Sequence, residues 1–249
     1  SRGLKTVKPS RHMVFYRSPG TPKPTVARLF AQIMRENQVL PVGDLVEVGR
    51  NDLVGKYVGW TAKCVEDAFK RAKGSVLFID EAYSLCEDKG GMYGDEAINT
   101  IVQMMENCRD NIIVIFAGYK DRMEEFLDRN PGLRSRIAFH VPFEDYTEDE
   151  LKAILTLMVK EKGMHLSKGV EEKAFEIFRE AIGHKDFGNG RFVRNIFERA
   201  CMKQASRICS RPDMDTLSDF ELQTLSPEDF VLPEEFTSKK AKRTIGFAC

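Results

Sequence analysis

The heptapeptide SVLFIDE at residues 75–81 decides the fold. Its first five residues read as a strand. A run of large apolar side chains with no polar alternation leaves neither face for water, which suits a parallel strand covered on both sides. Asp80 and Glu81 follow without a spacer, so two carboxylates stand at the carboxyl edge of that strand. Ligands of open α/β sheets bind at that edge. The plainer reading is a strand whose terminal acids cap the next helix, and the surrounding sequence has to choose between them.

Outward from this strand the same pattern repeats. Residues 12–15 (HMVF), 45–48 (LVEV), 111–117 (NIIVIFA) and 138–141 (AFHV) read as further short strands. Residues 25–37 carry apolar side chains at 26, 29, 30, 33 and 34, one stripe of a helix. Residues 61–73 and 95–107 share that period. Strands alternating with helices imply an α/β fold, a parallel sheet with helices on both faces. After Asp145 the pattern changes. Thr147 with Glu150 forms a capping box, and residues 170–182 and 190–208 are helical in period, with no clear strand beyond residue 145. The expected division is residues 1–145 as an α/β domain, 146–232 as a small all-helical domain, and 233–249 as a flexible basic tail ending in KKAKR.

A phosphate loop of the form G-x-x-x-x-G-K-[ST] should follow the first strand. The stretch in that place runs Arg17-Ser18-Pro19-Gly20-Thr21-Pro22-Lys23-Pro24. Strand before and helix after are right for a P-loop NTPase-type sheet. Only Lys23 survives of the signature. Arg17 and Pro22 stand in the glycine positions, and Pro24 replaces the hydroxyl residue that would reach Mg²⁺. Such a loop holds phosphates with backbone N–H groups at a helix N-terminus. Pro22 and Pro24 each delete one N–H. Pro22 also locks φ where glycine's freedom is wanted. Pro24 should push Lys23 out of the helical region while sitting comfortably at the head of the helix. The fold should tolerate this loop, and phosphate affinity should fall. Thr25 is the nearest hydroxyl that could take the vacated role.

The whole-chain numbers set outer limits. With 249 residues, 42% of them hydrophobic and 31% charged, the chain can bury a sizeable core in two unequal domains. Lys plus Arg is 38 and Asp plus Glu is 38, so there is no basic excess of the kind a dedicated nucleic-acid binder shows. Six cysteines form no C-x-x-C pair, and no His lies at zinc-ligand spacing from them, which points to free thiols in a reducing compartment. No apolar run approaches the ~18 residues of a membrane span, and no apolar leader opens the chain. Ser1 in place of Met points to an upstream segment outside this sequence.

Taken together, GLKTVKPSRHMVF, DLVGKYVGWTA, VLFIDEAYSL, YGDEAI, VIFAGYKDRME, NPGLRSRI and GNGRFVRN are specific, and residues from about Gly3 to Phe230 resemble the AAA+ subfamily of red-type Rubisco activase (CbbX) and stage V sporulation protein K. Members carry further residues before the equivalent of Ser1, including part of the adenine pocket. The resemblance implies a nucleotide-binding role for residues 1–145 and a lid role for 146–232, with ATP and Mg²⁺ as cofactors, Asp80 as the Walker B metal ligand and Glu81 as the catalytic carboxylate that orients the attacking water. Gly20, Thr21, Lys23 and Thr25 fall in the Walker A region. Lys56, Tyr57, Val58 and Gly59 match the pore loop, where an aromatic ring grips a threaded polypeptide. Gly118-Tyr119 stands at sensor 1. Arg134 and Arg136 match the arginine-finger region, with Arg136 preferred, and Arg191 and Arg194 match sensor 2, with Arg191 preferred.

Each has an ordinary alternative: Tyr57 as a turn tyrosine, Arg134 and Arg136 as solvated charges, Arg191 and Arg194 as partners of acids such as Glu198. The scattered His12, His140, His165 and His184 read as structural. Two functions follow from the resemblance. One is an ATP-driven hexameric ring, homo- or hetero-oligomeric, that threads or remodels a protein substrate in the cytoplasm or a plastid stroma, without nucleic acid or membrane. The alternative is a pseudo-ATPase that keeps the fold and ring contacts as a structural or regulatory partner of an active subunit. A clamp-loader or helicase role fits less well with the neutral charge.

Overall fold

The computed structural model describes residues 10–17, 23–55, 57, 59–87, 92–184 and 187–237, with backbone alone at 17, 23, 92, 215 and 237. The chain divides into two compact units that meet in sequence between Glu144 and Asp145.

The first unit is a five-stranded sheet, β1 (His12–Arg17), β2 (Leu45–Val48), β3 (Val76–Ile79), β4 (Ile113–Tyr119) and β5 (Ile137–Pro142), in the order β2-β3-β4-β1-β5. Every pairing is parallel. Between the strands run α1 (Lys23–Glu36), α2 (Arg50–Leu53), α3 (Thr61–Arg71), α4 (Met92–Asn107), α5 (Lys120–Arg129) and α6 (Pro131–Arg134). Side chains of a strand alternate between faces, and the core splits on that alternation. Val14, Tyr16, Leu77, Ile79, Val114 and Phe116 join Phe69 of α3, Ile98 and Ile101 of α4, and Met123 and Phe126 of α5 in one cluster. Met13, Phe15, Val76, Phe78, Ile113 and Ile115 join Ala27 and Ala31 of α1 in another. Each large side chain so buried contributes roughly 1.5–3 kcal/mol, and that burial fixes the sheet whatever its loops contain.

Two readings need correction here. Lys23 is not expelled from the helix: α1 begins at Lys23, with Pro24 as its second residue. The first N–H groups of a helix have no acceptor within it, so a proline there forfeits no intrahelical bond, and burial of Ala27 and Ala31 holds the first turn in register. Secondly, α5 has no counterpart in the periodicity reading. Its apolar positions are three, Met123, Phe126 and Leu127, in a stretch that is otherwise charged, yet all three are buried.

The second unit is built on α7 (Glu148–Glu161), α8 (Val170–Ala181) and α9 (Gly190–Cys209). Its capping box forms: Glu150 N–H donates to Thr147 Oγ1 at 3.3 Å, and Thr147 N–H donates to Glu150 Oε2 at 2.8 Å. Leu151, Leu155, Phe178, Val193 and Phe197 share its core. The expectation of no strand after residue 145 fails in detail. β6 (His165–Leu166) pairs in parallel with β7 (Thr224–Leu225). Two residues per strand are too few for a period to show in sequence. Among the described residues, no helix is long and apolar enough to cross a membrane.

Candidate functional site at the carboxyl edge of the sheet

From β1 the chain crosses to the far strand β2, returns through β3 and β4, and passes β1 to reach β5. The connections therefore run to opposite sides of β1, and the crevice of an open sheet lies where that reversal occurs. β1, β4 and β3 end side by side there. Arg17 stands in register with Tyr119, and Tyr16 with Gly118. Ile79, the last residue of β3, is in register with Phe116. Adjacent strands lie ~4.8 Å apart, so the sheet sets the head of the phosphate loop, Tyr119 and the Asp80-Glu81 pair along one short edge.

The acid turn has its own bracing. Asp80 N–H donates to Val48 C=O of β2 at 3.1 Å, and Glu81 N–H donates to the Asp80 Oδ1 at 3.0 Å. Glu81 adopts φ 49°, ψ 45°, a left-handed conformation that a residue with a Cβ adopts at a cost of roughly 1–2 kcal/mol. Its C=O accepts from Ser84 N–H at 2.7 Å, and Arg50 Nη1 donates to Ser84 C=O at 2.5 Å. A bond to β2, a carboxylate and a guanidinium thus hold a strained backbone at one residue. Strain of this kind persists where the surroundings over-determine it, and it clusters at functional sites.

Tyr119 stacks on Tyr83, centroids 6.3 Å apart, and the Arg122 guanidinium lies 4.2 Å from the Tyr83 ring centre. Burial pushes the Tyr83 hydroxyl up in pKa, and the Glu81 charge adds to the shift. Gly118 makes this packing possible, because a Cβ there would fall 2.7 Å from Met123 Sδ and from the Tyr83 ring. Tyr16, one residue before the loop, donates its hydroxyl to Glu124 at 2.5 Å and sits 2.6 Å from His140 Nδ1. Its hydroxyl pKa is raised by burial first, then by that bond to Glu124, while the bond from Tyr16 holds the Glu124 carboxyl below its ordinary range.

The other expected site residues are placed elsewhere. Gly20, Thr21, Lys56 and Val58 lie outside the described residues, and Lys23 heads α1. Thr25 is exposed in the first turn of α1, and Tyr57 and Gly59 are exposed before α3. Among the described residues, neither candidate finger pairs with the acid turn of its own chain. Arg134 pairs with Asp128 and with Glu124, and Arg136 donates to Gly132 C=O at 3.0 Å and faces Glu106 of α4 at 3.4 Å. Arg191 and Arg194 are exposed on α9.

Sequence reasoning passed over Arg50, Tyr83 and Asn189. Asn189 is fully buried at φ 48°, ψ −125°, donates Nδ2–H to Asp145 at 2.7 Å and accepts Tyr146 N–H at 2.8 Å. It fixes the start of α9, which carries both sensor candidates. Its place between two glycines was the available signal, since Asn is the residue that follows Gly into positive φ most readily.

Comparison with known proteins agrees with this fold. Residues 13–145 match the family model described as ATPase family associated with various cellular activities (AAA), and residues 147–241 match the AAA lid domain. The ribulose bisphosphate carboxylase/oxygenase activase, chloroplastic, of Cyanidioschyzon merolae is 44% identical over 92% of this chain and 78% of its own length. Stage V sporulation protein K of Bacillus subtilis is 40% identical over 94% of this chain and 73% of its own. Among solved structures, the FIGL-1 AAA domain in complex with ADP superposes with a TM-score of 0.63 at 18% identity, covering 89% of this chain and 70% of that one, a likeness of fold. The chain belongs to the AAA family, in the subfamily of the CfxQ, CbxX and stage V sporulation K proteins.

Proposed function

We propose that this chain is an AAA module that binds ATP with Mg²⁺ along the carboxyl edge of its sheet, hydrolyses it, and uses the cycle to thread or remodel a protein substrate as one subunit of a hexameric ring. The observation that carries the reading is the acid turn, where Asp80 and a left-handed Glu81 stand at the end of a buried central strand. The donor set suits Mg²⁺, which takes one or two carboxylates and fills its remaining positions from phosphates and water. Among the described residues no cluster of three metal-binding side chains occurs, so Asp80 would hold the ion only together with the nucleotide. Bound Mg·ATP supplies the phosphoryl group and most of the charge to be stabilised. Glu81 would orient the attacking water and accept its proton. Tyr119 would serve as sensor 1, Lys23 as the Walker A lysine, and Arg191 or Arg194, in the lid of residues 146–232, as sensor 2. Arg136, or Arg134, would serve a neighbouring subunit. Tyr57 would touch the substrate. The relative named as a carboxylase activase supports a protein as that substrate, and its chloroplastic location a plastid stroma or, by the thiols, a cytoplasm.

A second reading, the pseudo-ATPase, is favoured by the sequence of the loop, since Pro22 and Pro24 leave it two N–H groups short. Calorimetric titration with Mg·ATP, followed by phosphate release, separates the two. Micromolar binding with magnesium-dependent turnover establishes the ATPase. Absence of both establishes the pseudo-enzyme.

A further inference from the structure

The turn between α2 and α3 carries the only tryptophan of the protein. Trp60 is 58% exposed, and Tyr57, three residues before it, is 65% exposed. Their rings meet edge to face, with centroids 5.5 Å apart at 67°. The base beneath them is closed. Gly55 N–H donates to Thr61 Oγ1 at 3.2 Å, and Thr61 is fully buried. A Cβ on Gly55 would fall 2.6 Å from Trp60 Cβ, so the two ends of the turn touch and only glycine fits between them. Trp60 N–H donates to Tyr57 C=O at 3.2 Å. Gly59 takes φ +79°, and a Cβ there would meet nothing within 4 Å. The turn is pinned where Gly55 meets Trp60, and the rings of Tyr57 and Trp60 are both largely exposed to solvent.

We propose that Trp60 is a second gripping residue, which forms with Tyr57 a two-ring clasp for an extended polypeptide bearing apolar side chains. The proposal rests on the threading function above and adds a ring which that function leaves unused. Spacing favours this partner. Side chains on one side of an extended chain recur every ~6.6 Å, close to the separation of the two rings, so successive same-side residues can each meet a ring. Rings in edge-to-face contact leave no slot for a flat base between them. The chain also lacks the basic excess that a phosphate backbone requires.

Because Trp60 is the sole tryptophan, tryptophan emission of the full chain reports on this site alone. The test titrates a tryptophan-free synthetic peptide rich in Leu, Val and Ala, with a Gly-Ser-Glu peptide and an oligothymidine as further arms. Anisotropy of the labelled peptide measures binding independently of Trp60. The expected result is a saturable blue shift of Trp60 emission with the apolar peptide alone. Trp60→Ala should weaken that peptide about tenfold, as loss of an interfacial aromatic does, and Trp60→Tyr should recover most of it. Circular dichroism checks that each variant is folded. If the peptide binds while Trp60 emission and the Trp60→Ala affinity stay unchanged, the proposal is overturned and threading through Tyr57 stands. If no variant binds the peptide, threading falls and takes the clasp with it. A shift with oligothymidine instead overturns the choice of partner.

Discussion

β3 and β1 flank the same strand, β4, and end at the same edge of one sheet. Both are buried along the residues whose side chains are described. Beyond β3 the chain keeps an acid pair, and the backbone there is held in a strained conformation by Val48, Asp80 and, through Ser84, Arg50. At the last residue of β1 and beyond it the chain carries Arg17, Pro22 and Pro24 where glycines and a hydroxyl are wanted. Yet β1 extends to Arg17, in register with Tyr119, and α1 starts at Lys23. Apolar burial fixes strand and helix regardless of what links them. Phosphate binding depends on individual N–H groups, and two substitutions to proline remove two of them. A fold can therefore stand while its phosphate loop has fewer N–H groups than the signature provides.

The largest effect tests that asymmetry directly. Arg17→Gly, Pro22→Gly and Pro24→Thr together restore two N–H donors to charged oxygens, worth about 1.5–3 kcal/mol each. The repaired chain should bind Mg·ATP at least about a hundredfold more tightly than the natural one, while its thermal stability hardly moves. Calorimetry and a melting curve give both numbers. Equal affinities would mean that the defect lies outside the loop and that the contrast between the two strand ends is false.

The acid side can be broken in turn, in the repaired chain. Glu81→Gln keeps the shape of the turn and removes the base. Turnover should drop about 10²–10⁴-fold with nucleotide affinity nearly unchanged, read from phosphate release against a binding titration. Loss of affinity in step with rate would assign Glu81 to holding the nucleotide instead.

The buried strands were legible because their signal is collective: VLFI and NIIVIFA announce burial by composition alone, and SVLFIDE places the acids. The capping box at Thr147 was legible because it is a local exchange between residues three apart. What escaped depended on contacts remote in sequence. Arg50 reaches Ser84 across 34 residues and Asn189 reaches Asp145 across 44, and no pattern within either segment encodes such a partner. α5 escaped because only three of its ten residues are apolar, too few to set a period in a stretch otherwise charged. The local preference of a residue before proline would take Lys23 out of the helix, and the burial of Ala27 and Ala31 overrules it.

A smaller effect sharpens the account of strain. Glu81→Gly relieves the left-handed backbone, retains the N–H that donates to Asp80, and should stabilise the first unit by about 1 kcal/mol, seen as a rise of a few degrees in melting temperature. Glu81→Ala, with a Cβ in the same conformation, should give no such gain. A stability gain from glycine joined to lost turnover would show that the fold retains this strain against its own stability. Equal melting temperatures for the two variants would mean that the turn relaxes once the carboxylate is gone.

The smallest effect concerns whether β1 is as firmly anchored as β3. His12, at its start, is buried; its Nδ1 accepts Val114 N–H at 3.0 Å, which leaves Nε2–H to face Met105 C=O at 3.3 Å. Both ring nitrogens are committed to a neutral tautomer, and burial is the main cause that lowers the His12 pKa below its ordinary 6.5. The unfolded chain therefore takes up the proton first. Stability is complete above pH ~6.5 and falls as pH drops through that value toward the lower folded pKa. Urea midpoints between pH ~8 and 5 should show this decline in the natural and loop-repaired chains alike, and His12→Gln should flatten it. If the repaired chain declined less steeply, the natural loop would be loosening β1 as well as starving it of donors, and the damage at this strand end would be structural after all.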